Sequence, residues 1–158
     1  RLPVSMQHVR QGLMLVEVPG RFQVLPGRPA VVLDVAHNPQ AAGVLAENLG
    51  SMGFFPETWA VLGMLADKDV EGVVERLAGR VDHWLLADLP GARGLSAQDL
   101  AARVCAAGGA GDIRCYEQPA AAFAAAQDAA AEGDRIVVFG SFLTVADVLA
   151  AIKAARQR

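Results

Sequence analysis

From Val31 onward, short β-branched or apolar runs alternate with longer alanine- and leucine-rich stretches at helical period. This alternation constrains the fold more than any other feature of the sequence, because repeated β-α units close only onto a parallel sheet with helices packed against it. The runs at 31–35, 58–65, 83–88, 112–116 and 135–139 predict strands, and the stretches at 39–49, 70–77, 97–107, 120–131 and 145–155 predict helices. Val31-Val32-Leu33 and Ile136-Val137-Val138-Phe139 are nearly continuous in apolar residues, as strands covered on both faces must be. Residues 22–25 form a further extended candidate, joined to the 31–35 run by the turn former Pro26-Gly27-Arg28-Pro29, which predicts a β-hairpin at the amino edge. The expected class is α/β: an open, mostly parallel sheet with helices on both faces and an N-terminal hairpin.

Local punctuation supports the parse. Asn38-Pro39 supplies an N-cap acceptor followed by proline at the first helical position. Ser96 with Asp99, and Thr144 with Asp147, have the spacing of capped helix starts with an acidic first turn. The stretch 120–131 is rich in alanine, yet Phe123 and Gln127 at helical spacing predict a packed helix. A further helix is expected over 5–16, where Met6, Val9, Leu13 and Val16 recur every three or four residues. Residues 1–18 read as a lead-in from a preceding domain and 19–158 as one domain, since 158 residues suffice for a single substantial core. The start at Arg1 suggests an excised domain.

A net charge of −3, with 14 scattered Lys and Arg, gives no positive stripe for a nucleic-acid backbone. Every apolar segment is interrupted by charge, so a membrane span is not expected. Cys105 and Cys115 stand apart from any second ligand at metal spacing and read as small apolar core residues of a cytoplasmic protein.

In an open α/β sheet, ligands bind beyond the carboxyl ends of the strands, so chemistry is sought in the loops that follow them. Asp34-Val35-Ala36-His37-Asn38-Pro39 places an acid, a titratable ring and an amide where a helix opens, and the free N–H groups there favour an anion. Asp34 could accept bonds from a ribose hydroxyl pair and His37 could donate to a phosphate oxygen; equally, Asp34 could simply end a strand and Asn38 simply cap. Arg21, in Pro19-Gly20-Arg21-Phe22, carries a permanent charge whose fork matches phosphate oxygens, though a solvated arginine at a hairpin edge has the same sequence. Gly140-Ser141-Phe142-Leu143-Thr144 follows the last strand and offers a hydroxyl, a pattern also common in plain turns. Gly63-Met64-Leu65-Ala66-Asp67-Lys68-Asp69 ends a strand in alternating charge, which usually marks a solvated helix start. His8 and His83 have no convergent partners in sequence. No Gly-x-x-x-x-Gly-Lys-Ser/Thr segment occurs, so the usual cradle for β- and γ-phosphates is not in this chain.

These four loops, in this order, resemble the carboxy-terminal domain of the folylpolyglutamate synthase/dihydrofolate synthase family within the Mur ligase superfamily. Asp-x-Ala-His-Asn-Pro is the strongest piece and is shared with related Mur ligases; Pro-Gly-Arg-Phe and Gly-Ser-Phe tilt the resemblance to the folate branch. The resemblance implies a Rossmann-like domain that closes as a lid on an absent amino-terminal P-loop domain, in a cytoplasmic, monomeric enzyme. It implies ATP and Mg2+, bound mainly by the missing domain, and L-glutamate and dihydropteroate or a reduced folate as substrates. By the same resemblance Arg21 reaches the ATP phosphates and Asp34 holds the ribose. His37 and Asn38 lie near the transferring phosphate or the incoming glutamate, and Ser141 helps to hold the glutamate; no metal ligand is implied. The alternatives are a peptidoglycan-precursor Mur ligase and a non-catalytic nucleotide-binding α/β module.

Overall fold

The computed structural model describes residues 20–158. The helix expected over 5–16, the lead-in boundary, His8 and Pro19 lie outside the described residues. The sheet has six strands: β1 (Gln23–Leu25), β2 (Ala30–Leu33), β3 (Thr58–Leu62), β4 (His83–Ala87), β5 (Asp112–Tyr116) and β6 (Arg135–Phe139). Five helices accompany them: α1 (Pro39–Gly50), α2 (Val70–Leu77), α3 (Ala97–Ala106), α4 (Pro119–Ala129) and α5 (Phe142–Arg156). Spatial order is β1-β2-β6-β3-β4-β5. The β1–β2 pair is the antiparallel hairpin, with Val24 opposite Val32, and every other pairing is parallel.

Connection handedness explains the layering. From β2 to β3, β3 to β4 and β4 to β5 the chain steps in one direction, and right-handed crossovers put α1, α2 and α3 on one face. From β5 it returns to insert β6 between β2 and β3, so α4 lies on the opposite face, where α5 joins it. Each face has its own core. One contains Leu45, Leu49, Val73, Leu77, Trp84, Leu100 and Phe139; the other contains Leu33, Trp59, Val61, Leu85, Phe123, Ile136 and Val148. Burial of each such side chain contributes about 1.5–3 kcal/mol against the entropy of ordering the chain.

The alanine-rich helix is held by its buried face: Phe123 is 3% exposed, whereas Gln127 faces solvent. Two expectations need correction. Cys105 and Cys115 are both exposed, not core residues. β5 is the sheet's edge and is mostly solvated, and Cys105 lies on the outer side of α3, two placements that depend on strand order and helix rotation. The predicted Thr144 cap is also wrong. α5 begins earlier, at Phe142, and Ser141 caps it by accepting from the Leu143 N–H at 3.1 Å. Thr144, 0% exposed, donates its hydroxyl to the Gly63 carbonyl at 2.8 Å. Asp147 reaches across to accept from the Ala120 N–H, at the start of α4, where the Gln118 side chain makes no cap. Ser96 does cap α3, accepting from Asp99 N–H at 3.1 Å.

The loop after β3 is braced from the neighbouring helix. Arg103 of α3 donates to both carboxylate oxygens of Glu71 in α2, each at 2.7 Å, and to the Lys68 carbonyl at 3.3 Å. The Arg103 side chain holds the Glu71 carboxyl down to about 2. A depressed carboxyl stabilises the fold above its unfolded value near 4.5 and loses that contribution as pH falls through about 2. Glu71→Gln is therefore expected to lower stability at pH 7 by no more than about 1 kcal/mol, because the pair is partly solvated. The deficit relative to the native protein should shrink below pH 4.5 and vanish near 2; urea melts of both proteins across that range check it.

Candidate functional site at the carboxyl rim of the sheet

Asp34 leaves β2 at the carboxyl edge, and the segment after it folds on its own polar groups. Asp34 Oδ1 accepts from the Ala36 N–H at 2.7 Å, Val35 and Ala36 turn into the core, and His37 is half-buried. Asn38 then caps α1 in extended backbone, its Oδ1 accepting from the Ala41 N–H at 2.8 Å, with Pro39 at the first helical position. A carbonyl oxygen can only accept, so the 2.9 Å bond between His37 Nδ1 and the Val35 carbonyl fixes the proton on Nδ1. Nε2 is left to face a ligand. The Asn38 amide group likewise keeps its two N–H donors, since only the oxygen is used in capping.

The turn ahead of β1 packs against this segment. Val35 N–H donates to the Gly20 carbonyl at 2.6 Å, and Phe22 N–H donates to Asp34 Oδ2 at 3.1 Å. Gly20 has φ +73, a backbone conformation that favours glycine, and a Cβ there would stand a tight 3.0 Å from Val35 Cγ1. Phe22 has φ +40, a left-handed conformation rare for a bulky residue. Between the two, Arg21 is exposed and enters no ion pair among the described residues. Burial pushes the Asp34 carboxyl up, against the opposing pull of its two backbone N–H donors and of the Arg21 charge.

Arg21, Asp34, His37 and Asn38 line one groove of about 410 Å3, walled by Val44 and Asn48 of α1 and closed on one side by Phe142. The groove sits where β2 sends its chain to one face and β6, beside it, sends its chain to the other. This is the strand-order reversal at which open α/β sheets bind ligands. Four of the five expected site residues are thus brought together. Ser141 stands apart: it is 6% exposed, caps α5 and does not line the groove, and its hydroxyl donates to no acceptor among the described residues. Lys68 does not line it either. The loops after β3 and β6 meet each other instead, through Thr144 and Gly63. Phe142, 61% exposed, lines the groove together with Val44 and Asn48, and sequence reasoning gave none of the three a site role. His83 lies at the opposite, amino end of β4, stacked on Trp59 with ring centroids 3.7 Å apart and bonded to Glu57 at 2.8 Å. Among the described residues no three His, Cys, Asp or Glu side chains converge to hold a metal, and no helix is long and apolar enough to cross a membrane.

The family model for the Mur ligase glutamate ligase domain matches residues 20–142, more than three quarters of the chain. The chain belongs to that family. Dihydrofolate synthase/folylpolyglutamate synthase of Escherichia coli is 38% identical over 155 residues, covering 98% of this chain and 35% of the relative. The protein of the same name from Buchnera aphidicola is 32% identical over 149 residues, covering 94% of this chain and 35% of its own length. The structure of E. coli FolC with DHPP and ADP superposes with a TM-score of 0.89 at 37% identity, over 98% of this chain and 36% of that one. A structure of bifunctional folylpolyglutamate synthase/dihydrofolate synthase with Mn, AMPPNP and L-glutamate bound superposes with a TM-score of 0.85 at 41% identity, over 96% of this chain and 36% of that one. The chain spans about a third of the length of these relatives. In this glutamate ligase domain, the matched stretch takes in the whole groove, from the Gly20–Phe22 turn to Phe142.

Proposed function

We propose that this chain is the carboxy-terminal domain of an ATP-dependent ligase that joins L-glutamate to dihydropteroate or a reduced folate. The observation that carries this reading is the convergence of Arg21, Asp34, His37 and Asn38 in one groove at the strand-order reversal, in a chain whose relatives carry folate-ligase names. A carboxylate is a poor electrophile. Attack of its oxygen on the γ-phosphorus of ATP expels ADP and leaves an acyl phosphate; the glutamate amine then adds to the acyl carbon, inorganic phosphate departs, and the amine gives up a proton.

Both steps gather negative charge on phosphoryl oxygens, and fixed donors stabilise such charge most when they need no rearrangement. Arg21 supplies a permanent cation with a forked donor set. His37, its Nδ1 tied to Val35, presents Nε2 to a phosphoryl oxygen in the protonated ring, and the Asn38 amide adds neutral donors beside the opening of α1. The Ser141 hydroxyl, outside the groove at the start of α5, is assigned to the glutamate carboxylate on the family resemblance alone. Mg2+ and most contacts to ATP are assigned to the rest of the polypeptide, because the described residues offer no metal-holding cluster and the sequence no phosphate-cradling loop.

The test is an amide-ligation assay of the full-length protein with ATP, L-glutamate and either dihydropteroate, a reduced folate or a UDP-linked muramyl peptide, beside the present chain alone. Turnover with a pterin substrate, and no ATP hydrolysis or ligation by the chain alone, is expected. Turnover only with the muramyl substrate would assign the chain to the peptidoglycan ligases, and tight ATP binding by the chain alone would favour a self-sufficient nucleotide module.

A further inference from the structure

Thr144 is 0% exposed, and its hydroxyl donates to the Gly63 carbonyl at 2.8 Å. Thr144 stands in the first turn of α5 and Gly63 directly follows β3, so the bond ties the start of α5 to the exit of β3. The two segments fit closely. A Cβ on Gly63 would stand 2.8 Å from Thr144 Oγ1, and one on Gly140 would fall against the Gly63 carbonyl oxygen. The β3 exit is itself held, since the Met64 carbonyl accepts from the Leu95 N–H at 3.1 Å. Ser141 lies three residues before Thr144, and its nearly buried hydroxyl donates to no acceptor among the described residues. A buried hydroxyl has little freedom to search for a ligand, so its direction follows from how the first turn of α5 is held. Val145 anchors that turn by apolar packing, which is not directional. The Thr144 bond is directional, and so fixes the orientation of the turn. The groove around Arg21 is held separately: Asp34 and Asn38 accept from Phe22, Ala36 and Ala41, none of them in α5.

We propose that Thr144 is a positioning residue for the ligation reaction: through Gly63 it sets the direction of the Ser141 hydroxyl, and with it the affinity for the amino-acid substrate, while touching neither substrate. The proposal rests on Ser141 as a ligand of the glutamate carboxylate. It differs from a purely structural role in what it couples to. A hydroxyl that only satisfies a buried carbonyl affects stability alone, and one that aims Ser141 affects glutamate in preference to ATP.

The experiment reads kcat, KM for L-glutamate and KM for ATP in the full-length enzyme, for Thr144→Val, Thr144→Ser, Ser141→Ala and the Thr144→Val/Ser141→Ala double variant. Valine keeps the shape of threonine but leaves the Gly63 carbonyl unpaired, so all rates are taken well below the melting temperature of each variant. Thr144→Val is expected to raise KM for glutamate by about tenfold. Its KM for ATP should rise by less than about threefold, because of the α5 residues only Phe142 lines the groove around Arg21. Thr144→Ser restores the hydroxyl and should bring KM for glutamate back to within about twofold of the native value. In the Ser141→Ala background Thr144→Val should add less than about twofold. Equal rises in both KM values, or native KM values beside a lowered melting temperature, overturn the proposal in favour of a structural role. Rises that multiply in the double variant overturn it while leaving Ser141 on the glutamate. A native KM for glutamate in Ser141→Ala removes Ser141 from the substrate, and the proposal with it. Should Thr144→Val fail to fold, Thr144→Cys keeps a weaker donor and is expected to give a KM for glutamate between those of the native and Ser141→Ala proteins; a native value there overturns the proposal.

Discussion

Replacing Arg21 by alanine in the full-length protein is expected to lower the rate of ATP-dependent ligation by about 10²- to 10³-fold, the scale on which removal of one preorganised donor to developing charge is felt. The fold should not notice. Arg21 is exposed, it enters no ion pair among the described residues, and its backbone is held by Gly20, Phe22 and Asp34 whatever the side chain is. Thermal unfolding should therefore stay within about 0.5 kcal/mol of the native protein, as for ordinary surface substitutions. Arg21→Lys separates charge from shape: an ammonium keeps the cation but loses the two-point fork, and an intermediate rate is expected. Steady-state kinetics with saturating glutamate and pterin, beside a melting curve for each variant, check this. Native turnover in the alanine variant removes Arg21 from the mechanism.

Gly140→Ala is expected to lower stability by more than about 3 kcal/mol. Two causes add. Gly140 has φ +112, where a residue with a Cβ is strained. The added methyl would also meet the Gly63 carbonyl oxygen at less than any ordinary contact distance, and Leu62 Cδ1 at 2.6 Å. The carbonyl cannot swing away freely, because Thr144 Oγ1 holds it at 2.8 Å inside the protein. Since Gly140 precedes the Ser141 cap and the Phe142 wall of the groove, the surviving fraction should also bind nucleotide more weakly. Gly79→Ala is the matched control: nothing lies within 4 Å of a Cβ built there, and no loss is expected. Equilibrium urea unfolding of both variants gives the comparison. A deficit of 1 kcal/mol or less at Gly140 would mean that the crossing of the β3 and β6 ends is looser than its geometry implies.

The elements themselves were readable from the chain, for a local reason. β2 and β6 are continuous apolar runs because both faces of a central parallel strand are covered, and the runs ended within two residues of where the strands end. Asn38-Pro39 marked the start of α1 because cap and proline chemistry act over three residues. Where two hydroxyls competed, local chemistry was not enough. Ser141 and Thr144 both had the composition of a cap, and the choice was made by Gly63, 81 residues from Thr144, whose carbonyl takes the Thr144 hydroxyl. Asp147 belonged to α4 and not to its own helix for the same kind of reason. The cysteines were misplaced because alternation says which residues share a face but not that β5 is the edge strand.

The candidate site divides along the same line. Asp34, His37 and Asn38 were visible as a cluster because they fall within five positions after a strand, and Arg21 because a turn there presents a permanent cation whose fork matches phosphate oxygens. That Arg21 shares a groove with them follows from the hairpin register, which sets Gln23 opposite Leu33 and so brings the turn before β1 beside the exit of β2. That Phe142 joins them while Lys68 does not follows from β6 lying between β2 and β3, and Ser141 is kept out because it turns in to cap α5. By itself the sequence determined the repeating units, their caps and the loops that carry charge, because those depend on residues a few positions apart. The tertiary structure alone decided strand order and, through it, which loops share a wall, because pairings between segments dozens of residues apart are selected by the packing of the whole sheet.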